Sequence, residues 1–124
     1  MQLGDVYRWE TEQVQGRGKR EKIQVFICKD ADGQNVFMYV NSVEWFKDCK
    51  ILLANYQGFL EYDSYIGCNS VARYSDAYLK NLNLKPIGSI SRADLQRLRD
   101  AIIEAESMVT ADMNLVCRAL AAAL

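Results

Sequence analysis

A chain of 124 residues suffices for one domain with one hydrophobic core, and half apolar with a quarter charged is globular rather than disordered composition. Lysines and arginines number 15 against 16 acids, so no global positive field draws the chain to nucleic acid, and any phosphate binding must come from a local patch. Histidine is absent, which excludes His-based triads, His zinc ligands and His acid–base catalysis and leaves Arg, Lys, carboxylates, hydroxyls and Cys for any chemistry.

Gly4-Asp5 followed by Val6-Tyr7-Arg8-Trp9 predicts a first strand, rich in β-branched and aromatic residues. Glu10 to Gln15 is polar. The next stretch carries Arg17, Lys19, Arg20 and Lys22 against the single acid Glu21, with Gly16 and Gly18 flanking Arg17, the one dense cationic patch in the chain. Ile23, Val25 and Ile27 then alternate with Lys22, Gln24, Phe26 and Cys28, the period of a strand with unlike faces. Asp30-Ala31-Asp32-Gly33 has turn chemistry, and Val36 to Val40 returns as a second strand ending at Asn41-Ser42. A hairpin thus carries a cationic loop at one end and a hydroxyl near the end of its return strand.

Val43 to Lys50 reads as a short helix or an irregular crossing, with Trp45 and Phe46 as buried anchors. A short apolar run at 51–54 leads to a turn at 55–58, and Phe59 to Tyr62 is expected to pair back as a strand. Ser64 to Tyr74 is expected to be a strand bent at Gly67, followed by a helical turn from Asp76 to Lys80 and an extended piece from Lys85 to Ile90. Ser91 is the N-cap candidate of a helix whose apolar face holds Leu95, Leu98, Ile102 and Ala105, with Asp94 in its first turn. Thr110 is the expected cap of a second helix with Met113, Val116, Cys117 and Leu120 on one face, packing onto the domain or onto a second subunit. Strands followed by helices give an α+β domain over 1–124: a small, strongly bent antiparallel β-barrel at 4–90 and C-terminal helices at 91–124.

Cys28, Cys49, Cys68 and Cys117 are far apart and include no CxxC pair, so neither a metal nor a cofactor is expected. With no signal peptide at Met1-Gln2-Leu3-Gly4 they read as reduced thiols of a cytoplasmic protein. No apolar run approaches the ~20 residues of a membrane span.

The pattern resembles the PemK/MazF-like endoribonucleases of type II toxin-antitoxin systems. Gly4-Asp5-Val6-Tyr7 is similar to that family's opening strand, and Lys19-Arg20 before Ile23-Gln24-Val25 resembles its Arg-Pro followed by an apolar strand. Val40-Asn41-Ser42 sits where the family strand ends in Ser or Thr, and the run from Ser64 to Val71 resembles a later Ser-led strand. Ile87-Gly88-Ser89-Ile90-Ser91 with Asp94-Leu95 resembles the closing strand and helix. The departures are Glu21 in place of the family's Pro, Ala72 where the family often has Arg, with Arg73 one place late, a poor match over 43–63, and a tail beyond 109.

The resemblance implies an SH3-like barrel that cleaves single-stranded RNA without metal, by attack of the ribose 2′-OH, as a homodimer held in check by an antitoxin protein. It implies Arg20 and Ser42 as catalytic residues, Arg20 gripping the phosphate and Ser42 hydrogen-bonding it. Arg17, Lys19, Lys22 and Arg73 are the candidate RNA contacts, Tyr39 or Trp9 the candidate base-stacking rings, and Glu12, Glu21 or Arg20 itself the general base. The alternative is a non-catalytic barrel that binds a protein or nucleic-acid partner.

Overall fold

The computed structural model describes residues 1–11 and 20–123, without the Arg20 side chain. Its centre is an antiparallel hairpin, β2 (Arg20–Lys29) and β3 (Asn35–Asn41), closed by a turn in which Asp30 Oδ1 accepts the backbone N–H groups of Asp32 and Gln34, both at 2.9 Å. Gly33 supplies the left-handed residue of that turn, at φ 79°. β1 (Asp5–Thr11) lies beside β2 and β7 (Gly88–Ser89) beside β1. On the far side of β3, β5 (Ser64–Ile66) pairs with one end and β6 (Ala72–Tyr74) with the other, and β4 (Cys49–Ile51) pairs with β5. The expected strand from Ser64 to Tyr74 is therefore two short strands on the same neighbour, separated by an irregular segment that begins at Gly67. Three helices, α1 (Asp76–Leu82), α2 (Arg92–Ala105) and α3 (Thr110–Ala122), complete an α+β fold around a curled antiparallel sheet.

Strand alternation gives this sheet two apolar faces. Val6, Val25, Met38, Val40 and Ile66 face α2 and α3, where Leu98, Ile102, Val116 and Leu120 are fully buried. Tyr7, Trp9, Phe26, Phe37 and Tyr74 fill the other face with Leu79 of α1. The register of β2 against β3 shifts between Phe26 and Cys28, and this bulge turns Cys28 toward the first core alongside Ile27. The strict alternation expected for β2 therefore ends at Phe26.

α2 starts where the sequence places it: Ser91 Oγ accepts the Asp94 N–H at 3.2 Å. The buried Asp94 carboxylate is held by the Tyr56 hydroxyl at 2.5 Å and by Arg97 Nη1 at 2.7 Å, tying the helix start to the preceding loop. α3 differs from expectation: Thr110 is its first residue, and Val109 stands at the cap position with no side-chain bond. The tail packs on α2 and β2 of its own domain. Two further segments depart from expectation. Phe59 to Tyr62 forms no strand; Phe59 and Leu60 are buried in the first core instead. The segment from 43 to 48 is irregular, but Trp45 and Phe46 point outward at 82% and 46% exposure, because the Asp48 carboxylate, accepting the Trp45 N–H at 2.8 Å, anchors the loop in their place.

Arg73 fastens α3 to the hairpin turn: Nε donates to Asp30 at 2.9 Å and Nη2 to Asp112 at 2.6 Å. Hydrogen bonds from Gln34 N–H and Arg73 hold the Asp30 carboxyl below its usual range, and those from Asn35 and Lys29 do the same for Asp76. Because both folded values are depressed, their stabilisation is complete above the unfolded value of about 3.9 and is lost as pH falls through the lowered values. Stability measured by urea unfolding is expected to stay level from about pH 7 to 5 and to drop below about pH 4. Arg73→Ala is expected to cost about 1–2 kcal/mol at neutral pH and to flatten part of that acid limb.

Candidate nucleic-acid interface

β2 begins and β3 ends at the same end of the sheet, and there a groove of about 340 Å³ opens. Arg8, Glu21, Lys22, Asn41 and Ser42 line it from the strands, and Phe59 to Tyr62 with Ser64 from the opposite side. The antiparallel register builds it: Arg8 pairs with Ile23 and Ile23 with Val40, so Arg8 continues the row of Val6 and Val25 at the margin of the first core. Arg8 Nη2 donates to the Phe59 carbonyl at 3.1 Å and its Nε lies 3.5 Å from Glu21 Oε1, so the guanidinium is fixed at the rim. Lys22 Nζ donates to Asn41 Oδ1 at 2.7 Å and stands 5.7 Å from the centre of the Tyr39 ring. Ser42 is exposed just past the end of β3.

The residues singled out from the sequence are distributed unevenly about this groove. Lys22 and Ser42 line it, and Tyr39 lies beside Lys22. Arg17 and Lys19, the side chain of Arg20, and Glu12 lie outside the described residues; the Arg20 backbone opens β2 opposite Thr11. Arg73 is at the other end of β3, paired across the sheet with Val36 and bonded to the Asp30 and Asp112 carboxylates, which hold its guanidinium firmly protonated. Trp9 is 6% exposed, packed edge-on against Phe37 and Tyr74 with its indole N–H on the Tyr78 hydroxyl at 3.3 Å, so neither ring face is open to a base. Tyr39 is half-buried, and burial, with the Tyr74 phenol nearby, pushes its hydroxyl well above the usual phenol range, so it acts as a neutral ring.

Arg8 and Asn41 line the groove without being singled out by the sequence, although Arg8 shares the alternation of Val6 and so continues a core-facing row with a cation. That spacing was the available signal; the aromatic neighbours Tyr7 and Trp9 obscure it. The cysteines offer no chemistry to the groove. All four are free thiols, and burial raises each, Cys49 to about 11 and Cys68 to about 12, so they remain protonated packing residues. Among the described residues no three of His, Cys, Asp and Glu gather into a metal-binding group, and no helix is long and apolar enough to cross a membrane.

Packing beneath the groove is tight. A Cβ on Gly88 would lie 2.6 Å from the Phe59 ring, and Phe59 is the residue whose carbonyl holds Arg8. Gly88→Ala is therefore expected to cost about 1–3 kcal/mol and to loosen Arg8, read as a lower unfolding midpoint together with altered chemical shifts at the Arg8 guanidinium.

The chain matches no known family model and no curated protein sequence.

Proposed function

We propose that this protein is a metal-independent endoribonuclease of the toxin type, cutting single-stranded RNA at the end of the β2–β3 hairpin. The observation that carries the reading is the meeting in one groove of Lys22, Arg8, Ser42 and the carboxylate Glu21, with Arg20 opening β2 two residues before Lys22 and Arg17 and Lys19 just ahead of it in sequence. The arrangement suits transphosphorylation. Glu21 takes the proton of the ribose 2′-OH, whose oxygen attacks the adjacent phosphorus; the P–O5′ bond breaks, giving a 2′,3′-cyclic phosphate and a 5′-hydroxyl end once the leaving oxygen is protonated. Arg20 and Lys22 neutralise charge on the phosphorane, and Ser42 donates a hydrogen bond to a non-bridging oxygen. The SH3-like barrel, homodimer and antitoxin partner that the resemblance implies belong to the same proposal, the antitoxin covering the groove.

Ser42→Ala is expected to slow cleavage of a long single-stranded RNA in EDTA by about 10- to 100-fold while leaving the unfolding midpoint within the scatter of wild type. Equal rates for wild type and variant would remove Ser42 from the site. A second reading, a non-catalytic barrel, draws on the two carboxylates, Glu21 and Glu61, that balance Arg8 and Lys22 among the described groove residues. It predicts RNA or protein binding with no cleavage.

A further inference from the structure

On the other side of Asn41 from the groove lies a second cavity of about 210 Å³, between Tyr39 and Trp45, with Gly67, Asn69 and Ser70 along its floor and rim. We infer that this cavity is a nucleobase subsite, taking the base of a nucleotide whose phosphate lies at Lys22 and Ser42. The inference rests on the ribonuclease reading and supplies the part of it that would select sequence.

Three features of the cavity suit a base. The first is Trp45. A tryptophan 82% exposed forgoes a large gain from burial, yet it is not left on a loose loop. Asp48 accepts the Trp45 N–H at 2.8 Å, the Cys68 N–H at 3.1 Å and Asn69 Nδ2 at 3.2 Å, bracing the loop from within, and Lys47 is held in the left-handed region at φ 49°. An indole presented this way is a stacking platform.

The second is the polar edge. Asn41 spends its Oδ1 on Lys22, and its Nδ2 lies next to Gly67, 3.5 Å from where a Cβ on that residue would be, with no hydrogen-bond partner among the described residues. Asn69 spends its Nδ2 on Asp48, leaving its oxygen as an acceptor. One donor and one acceptor lining the cavity can read the edge of a base.

The third is continuity. Asn41 lines both cavities, and Lys22, bonded to Asn41, stands over the Tyr39 ring, so a cation for the phosphate and a ring for the base share one side-chain cluster.

Gly67 gives a clean test. Its backbone is outside the left-handed region and an added methyl would meet Asn41 Nδ2 and the Tyr39 carbonyl at ordinary contact distances, so Gly67→Ala folds but narrows the cavity. The four homopolymeric oligoribonucleotides, made with 2′-fluoro riboses so that they are not cut, are titrated by fluorescence anisotropy against wild type, Trp45→Ala, Gly67→Ala and Asn69→Ala, with an abasic oligomer as control. The expected result is a loss of about 5- to 100-fold for Trp45→Ala and a smaller loss for Gly67→Ala. Asn69→Ala should shrink the differences between the four bases, and wild type and Trp45→Ala should bind the abasic oligomer equally. If the variants bind like wild type while Lys22→Ala weakens every oligomer, the base subsite is wrong and the RNA reading stands. If wild type binds none of the oligomers, both fall.

Discussion

Arg20→Ala is expected to abolish defined cuts in single-stranded RNA, lowering the rate by about 10²- to 10³-fold, the range seen when one preorganised charge-stabilising donor is removed. The transition state gathers negative charge on the non-bridging oxygens, and a planar guanidinium meets two of them at once while staying charged at any working pH. Arg20→Lys keeps the charge and loses the fork, so it should recover only part of the rate. Arg20 is the residue at which the cationic stretch enters β2, two positions from Lys22, whose ammonium is already fixed by Asn41 at the groove. A purely structural role for Arg20 would instead show as a shift in unfolding midpoint with cleavage scaling to the folded fraction.

The largest effect on stability is expected at Phe37. Its ring is fully buried and lies edge-on to Tyr7, Trp9, Phe26 and Tyr74, at centroid distances of 6.2, 5.3, 5.4 and 5.5 Å. Removing it opens a cavity between four rigid rings that cannot collapse far, so Phe37→Ala should cost about 3–5 kcal/mol, against a total stability of about 5–15 kcal/mol for a domain of this kind. Phe37→Leu should cost less than half of that, because most of the volume stays filled. Urea unfolding followed by tryptophan fluorescence reads both variants. Trp9 sits in the affected cluster, so its emission should redden in Phe37→Ala even before unfolding.

Much of the fold could be read directly. The hairpin, its Asp30–Gly33 turn and the Ser91 cap each rest on local chemistry, alternation or capping, that the tertiary structure leaves in force. The readings that failed did so where a distant partner decides. Trp45 and Phe46 look like anchors until Asp48, three residues away from Trp45, ties the loop down through backbone N–H groups on Cys68 and Trp45 itself. Phe59 and Leu60 look like the start of a strand, but both of their backbone N–H groups donate to the Tyr56 carbonyl, in a turn that takes the place of a ladder. Thr110 has capping chemistry, yet it is already the first residue of the helix, and Val109 takes the cap position with no side-chain bond. The bulge after Phe26 has no sequence mark at all.

The candidate site was legible in its cations and its hydroxyl but not in its architecture. Lys22 and Ser42 share a groove because β2 begins where β3 ends, which the hairpin reading contains. Arg73 shows the opposite case. One residue of register places it beside Val36 and within reach of Asp30 and Asp112, where it serves as a clamp on α3. Arg8 becomes visible as a groove residue only when β1 is set against Ile23 and the Phe59 carbonyl.

The most direct test of the central claim is incubation of the purified wild-type protein with a long single-stranded RNA in EDTA, with the product ends identified. Defined fragments carrying 2′,3′-cyclic phosphate and 5′-hydroxyl ends, and no cut where the ribose at the cleavage position is 2′-deoxy, are the predicted result. Intact RNA from a folded protein across varied sequences, or cuts that survive the 2′-deoxy substitution, would contradict it.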